Sequence, residues 1–247
     1  MSSLTKQSTD TAVFKSSLKS LYTIGGVSAI LQLVAILSYP FVIAILGPKP
    51  VNAEEYFAIF QNSRLEAFLR GDFLLLILIG LYLGTFPAIY VALRRLSPIY
   101  TALATIFTLI AVTGCFATES SFSLLHLGGQ YVAAVSDAQR TQLVAAGQAI
   151  IASDMWNGTA AYMGGILLQG SGVMISVIML RSREFSKVTA IAGSLGNALD
   201  LTQHLLHPFA PSLSAPIQIM MGAFYLVWFP MLARDFFRLG GKTRSSI

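Results

Sequence analysis

The sequence predicts an all-α polytopic membrane protein with six transmembrane helices and both termini in the cytoplasm. Three observations carry this. Only 11% of the residues are charged, 55% are hydrophobic, and the mean hydropathy is +0.69. A soluble domain is usually about 25% charged, so this chain has too few charges to cover a water-facing surface. Its apolar residues gather in runs of about 20, the length that crosses a bilayer. Its Lys and Arg residues favour alternate loops, which is the signal that sets membrane orientation. A soluble enzyme and a disordered chain are both excluded, the latter because disorder needs low hydrophobicity and high charge.

The chain opens with a polar segment, 1–20, rich in Ser and Thr and carrying Lys6, Lys15 and Lys19. It reads as a cytoplasmic tail. The transmembrane domain then covers 21–238, with spans at about 21–46, 73–93, 98–118, 157–180, 188–206 and 216–236. The first is too long for a signal peptide and shows no small-residue cleavage site, so it is read as an uncleaved helix. The fifth is the most polar, with Ser194, Asn197, Asp200, Gln203 and His204. The stretch Tyr131–Ser153 contains Asp137, Gln139, Arg140 and Gln142. It is read instead as an interfacial helix over about 136–152, beginning at Ser136-Asp137. A short basic tail, 239–247, closes the chain.

Six spans with the N-terminus inside put 12 of the 16 Lys and Arg residues in the cytoplasm. Lys49, Arg64, Arg70 and Arg140 are left outside, with most of the acids. A seventh span would move the C-terminal basic cluster outside and break the bias. The net charge of +5 therefore reports orientation, and nucleic acid is not a partner. The single cysteine, Cys115, rules out an intrachain disulfide. Glycines such as Gly80 and Gly84, or Gly193 and Gly196, stand at the spacing that lets membrane helices approach closely.

Ionisable residues inside a span are costly and mark candidate sites. Asp200 is the one acid well inside a predicted span. Asn197, Asp200, His204 and His207 follow at intervals of three, four and three, on one helical stripe. Such a stripe must face the bundle interior or a wet cavity. At the outer end of the third span stand Glu119, Ser120 and Ser121, with His126 seven residues after Glu119. A helix that continued through this point would put Glu119 and His126 on one face. Asp154 and Asn157 open the fourth span on the same side, and Asp72 opens the second.

These residues predict an outward-facing polar pocket. Asn197, Asp200, Ser120, Asp154 and Asn157 would line it, for a lipid or other amphipathic ligand. The alternative is a zinc-dependent membrane hydrolase acting on lipid headgroups. There His126, His204 and His207 would hold the metal, and Asp200 or Glu119 would act as general base. A third alternative is a structural or sensory subunit without chemistry. Membrane lipids are the expected partners, alongside a second copy of the chain or another membrane protein. No P-loop, dinucleotide fingerprint or nucleophile elbow is present.

Order and spacing resemble a bacterial membrane family known as domain of unknown function 4386, over roughly 18–240. The resemblance rests on the outer segment Ala53–Ser63, read as a polar loop. It rests also on the run from Arg64 to Asp72, the turn Ala92-Leu-Arg-Arg-Leu-Ser97, and Arg181-Ser182 followed by an Ala-Gly-rich helix bearing Asp200. It implies an uncharacterised multi-span fold. An arginine common in that family's third helix is absent from Ala104–Val112, and Met155-Trp156 stands where the family often has a histidine. A weaker likeness to ceramidase-like membrane hydrolases, which set Ser, Asp and His around zinc, is an analogy for the hydrolase alternative.

Overall fold

The computed structural model describes residues 2–242, apart from the side chains of 2–13, 211 and 215. Lys6, Asp10 and Arg244 of the charge bias lie outside the described side chains. Among the described residues the chain is helical, with no strand. The helices are α1 (Ser2–Leu46), α2 (Ala53–Asn62), α3 (Arg64–Arg70), α4 (Phe73–Gly80), α5 (Tyr82–Leu93), α6 (Pro98–Thr118), α7 (Ser121–Ala133), α8 (Asp137–Ala152), α9 (Thr159–Met179), α10 (Lys187–Leu206) and α11 (Ser214–Lys242). A short 3-10 turn, Pro211–Leu213, precedes the last.

Five helical stretches are long and apolar enough to cross a membrane: Phe14–Leu46, Phe73–Leu93, Pro98–Ala133, Thr159–Met179 and Pro216–Lys242. Large apolar side chains on them face outward, among them Phe41, Ile45, Ile99, Ile110 and Ile219. In water such exposure would be a liability, but against lipid tails it is the expected surface. The helix α10 falls short of that apolarity, because Asn197, Asp200, Gln203 and His204 interrupt it.

The chain divides into two compact units, Met1–Leu33 with Leu81–Leu109 and Leu167–Ile247, and Val34–Gly80 with Ile110–Ile166. In the first, α10 packs along α11. Trp228, Phe229, Leu232 and Phe236 from α11 are fully buried, as are Phe86, Ile89 and Leu93 from α5. Tyr22 stacks on Phe236 at 6.4 Å, and Phe185 meets the same ring edge-on at 5.9 Å. Small residues allow close approach: a Cβ on Gly25 would fall 2.7 Å from that of Ala88.

The start of α10 is fixed by polar groups. Ser186 Oγ accepts from Thr189 N at 3.0 Å, an N-cap that satisfies one orphan donor. Asp235, completely buried on α11, accepts from Ser186 N at 2.8 Å and from Thr189 Oγ1 at 2.6 Å. At the other end α10 stops at Leu206, two residues before Pro208.

In the second unit α2, α3, α7 and α8 pack together. The segment Ala53–Ser63, expected as a polar loop, is instead the helix α2. Asn52 caps it by accepting from Glu55 N at 2.8 Å. Tyr56, Phe57 and Phe60 recur at helical spacing and bury with Leu124 in one apolar cluster. Phe57 stacks on Tyr131 of α7 at 4.9 Å. On α8, Gly147 leaves room for this packing, since a Cβ there would stand 2.9 Å from that of Ala53.

A second correction falls between α6 and α7. The helix does not continue past Thr118, so Glu119 and His126 do not share the face of one unbroken helix. Glu119 Oε1 accepts from Ser121 N at 2.7 Å, which ties this carboxylate to the new helix start. His126 Nε2 lies 3.1 Å from Gln130 Nε2, one turn further along α7.

Candidate functional site: two buried polar clusters

The cluster of the first unit is built on α10. Asn197, Asp200 and Gln203 are buried, while Val188, Ile191, Leu195 and Leu205 are exposed. The helix therefore turns its polar stripe inward and its apolar stripe outward. Tyr225 of α11 reaches the stripe, its hydroxyl donating to Asp200 Oδ2 at 2.8 Å. Around the same phenolic oxygen stand Gln169 Oε1 of α9 at 3.1 Å and Asn197 Oδ1 at 3.5 Å. The hydroxyl has one proton to give, and the carboxylate oxygen at the shortest distance takes it. Asn197 Nδ2 donates to Gly193 O at 2.8 Å. Its amide fits only because position 172 is glycine, where a Cβ would come within 2.0 Å of Asn197 Oδ1.

His204 completes the cluster. Its Nδ1 lies 3.1 Å from Asp200 Oδ1 and 3.1 Å from Asp200 O. With the proton on Nδ1 donated to Asp200, the other ring nitrogen, Nε2, presents a lone pair. Nε2 has no hydrogen-bond partner among the described residues, and the side chain is 26% exposed. An acid that orients an imidazole and leaves Nε2 open gives a hydrogen-bond acceptor or a base. His207 is separate from this pair and has its Nδ1 3.4 Å from Ser214 Oγ.

The cluster of the second unit joins three segments distant in sequence. After α1, Gly47 takes a positive φ of 96°, which turns the chain away from the helix. Arg70 Nε donates to Pro48 O at 2.9 Å and steadies that turn. Lys49 Nζ then donates to Asp72 Oδ2 at 2.6 Å and to Asp154 Oδ2 at 3.1 Å. The two carboxylates are 4% and 1% exposed, and Lys49 is 28% exposed.

Both remaining carboxylate oxygens are also engaged. Asp72 Oδ1 accepts from Trp156 Nε1 at 2.8 Å. Asp154 Oδ1 accepts from Trp156 N at 2.9 Å, Asn157 N at 3.1 Å and Asn157 Nδ2 at 3.1 Å. Burial alone pushes the Lys49 ammonium down, but the charges and hydrogen bonds of Asp72 and Asp154 outweigh it and hold its pKa above the ordinary value. Beside the trio is a small cavity, about 10 Å³ of room for a water's centre, lined by Lys49, Tyr56, Asp72, Ser120, Ser121 and Asp154 among others. Burial and then the charge of Glu119 push the Tyr56 phenol above its ordinary pKa.

The residues expected to line the pocket each have a place in one unit or the other. Asn197 and Asp200 meet in the first unit; Ser120 and Asp154 line the cavity of the second, where Asn157 bonds Asp154. Among the expected zinc ligands, His204 bonds Asp200, His207 approaches Ser214, and His126 approaches Gln130. No group of three or more His, Cys, Asp or Glu side chains among the described residues could hold a metal ion. Sequence reasoning passed over Tyr225, Gln169, Lys49 and Trp156 as site residues. The pairing of Lys49 with Asp72 had a signal, since each stands at the edge of an apolar run.

Five apolar helical stretches of membrane-crossing length, with large apolar side chains turned outward, mark an integral membrane protein. Over residues 23–234 the chain matches the family described as "Domain of unknown function (DUF4386)", and it belongs to that family. No curated protein and no solved structure matches it.

Proposed function

We propose that this is a six-span protein of the inner or plasma membrane, with both termini cytoplasmic. We further propose that its α10 cluster, near the outer face, takes the headgroup of a lipid or other amphipathic ligand. The span added to the five long apolar stretches is α10 itself. Its 20 residues rise about 30 Å, the thickness of the hydrocarbon core. Its low apolarity comes from side chains that are buried, while the side that meets lipid is Val, Ile and Leu.

The observation that carries the ligand reading is the Asp200–His204 pair. One carboxylate holds an imidazole at Nδ1, and the opposite nitrogen is open on a partly exposed side chain. That nitrogen suits a hydroxyl or ammonium headgroup, which donates a hydrogen bond, and Asp200 reinforces it by charge. A buried acid in a membrane helix is costly unless it serves such a purpose.

The test is the lipid that co-purifies. Wild type, Asp200→Asn and His204→Gln are extracted in mild detergent, and bound lipids are quantified by mass spectrometry. The reading predicts one amphiphile with a hydroxyl or amine headgroup, enriched several-fold over the bulk membrane and lost from both variants. Bulk composition in all three proteins would remove it.

A further inference from the structure

The cavity beside Lys49 borders two hydroxyls that the ion-pair network does not use. Tyr56 OH and Ser121 Oγ are both buried without a hydrogen-bond partner, on residues only 2% exposed. A buried polar group left unpaired is costly, and native proteins satisfy nearly all of them. The two hydroxyls do not bond each other. Both residues line the same cavity as Lys49.

We propose that this cavity is a binding site for a single water molecule, shared by Lys49 Nζ, Tyr56 OH and Ser121 Oγ. Size points to water first. About 10 Å³ of room for its centre matches one water and excludes a lipid headgroup. Hydrogen-bond counting points the same way. The ammonium has three donors, and Asp72 and Asp154 take two. The third is free for a water oxygen. The water's protons then serve one hydroxyl oxygen each, or one is exchanged for a hydroxyl proton. Three partners is the usual number for a buried water.

Charge argues against a cation in the same place. All four carboxylate oxygens of Asp72 and Asp154 already accept from Lys49, Trp156 or Asn157. The ammonium borders the cavity and would repel a second positive charge. The water would tie α2 and α7 to Lys49, adding to the bond from Val51 N to Glu55 Oε2 that already joins the turn to α2.

The test uses the full chain in detergent. Melting temperatures are measured for wild type, Tyr56→Phe, Ser121→Ala and the double variant, in sodium, potassium and choline chloride. Each single change removes one partner of the water, and a fall of roughly 2–6 °C is expected. The decisive result is coupling. Two hydroxyls sharing one water give a double variant that loses clearly less than the sum of the singles, equally in all three salts. Strict additivity would overturn the proposal. So would a sodium-specific rise in melting temperature that the variants lose, because that marks a bound cation.

Discussion

Asp200 and Tyr225 meet carboxylate to phenol at 2.8 Å, so the acid of α10 is held by a hydroxyl of α11. Both side chains are buried. The contact explains how a charged residue is tolerated in a helix whose outward stripe is Val, Ile and Leu. It also ranks the residues around it. Tyr225→Phe leaves one carboxylate oxygen without its donor. Polar contacts between membrane helices are worth about 0.6 kcal/mol on average and rarely above about 1.7. A loss in that range is expected in reversible unfolding from micelles, and an unchanged stability would show that the contact is not formed.

The Lys49 trio predicts a larger effect. Lys49→Met leaves Asp72 and Asp154 buried with no cation between them. Breaking a buried ion pair from one side costs about 3–5 kcal/mol, and the partial exposure of Lys49 argues for the low end. Double replacement with Asp72→Asn should recover part of that loss. The measurement is again unfolding in micelles.

The same trio sets a pH dependence. The Lys49 pKa is held above its ordinary value in the folded protein. Its stabilising contribution is therefore complete below the ordinary lysine value of about 10.4 and is lost as pH rises through the shifted value. Wild-type melting should show an alkaline decline from this group above about pH 10.4, and Lys49→Met should lack that component. Identical alkaline profiles would contradict the pairing.

Glycines separate into tight and open positions. A Cβ on Gly193 would stand 2.4 Å from Ser176 Oγ and 2.5 Å from Trp228 Nε1, whereas one on Gly222 meets nothing within 4 Å. Gly193→Ala should destabilise by roughly 1–3 kcal/mol through overpacking. Gly222→Ala should be neutral or stabilise by up to about 1 kcal/mol, the helix preference of alanine over glycine. Thermal shifts of the two variants, measured side by side, decide this.

Much of the helical layout was legible because lipid imposes a simple rule: long apolar runs become helices. The start of α6 at Pro98 and the limits of α10 at Ser186 and Pro208 follow directly from those residues. The polar stripe of α10 was legible for the same reason, since its period matches a helix. Elements outside the spans were harder. Segment 53–63 carries Glu54, Glu55 and Gln61 and reads as polar, yet Tyr56, Phe57 and Phe60 decide its fold by packing on α7. The break at Glu119 depends on one side chain bonding a backbone N–H two residues on, which periodicity does not reveal.

Most partners distant in sequence were not legible. Tyr225 looks like any interfacial aromatic until α11 lies against α10. Lys49 and Asp154 are 105 positions apart, and spacing along the chain says nothing of their contact. The same limit applies to histidine. That His126, His204 and His207 have Gln130, Asp200 and Ser214 as hydrogen-bonding neighbours is not read from their spacing.

The central claim is that α10 crosses the membrane with its polar stripe turned inward. Counting spans by parity tests it most directly. Reporters fused to the N- and C-termini of the full chain are read for sidedness in intact cells and inverted vesicles. Six spans put both reporters on the cytoplasmic side. Reporters on opposite sides would mean an odd number of spans and contradict the account.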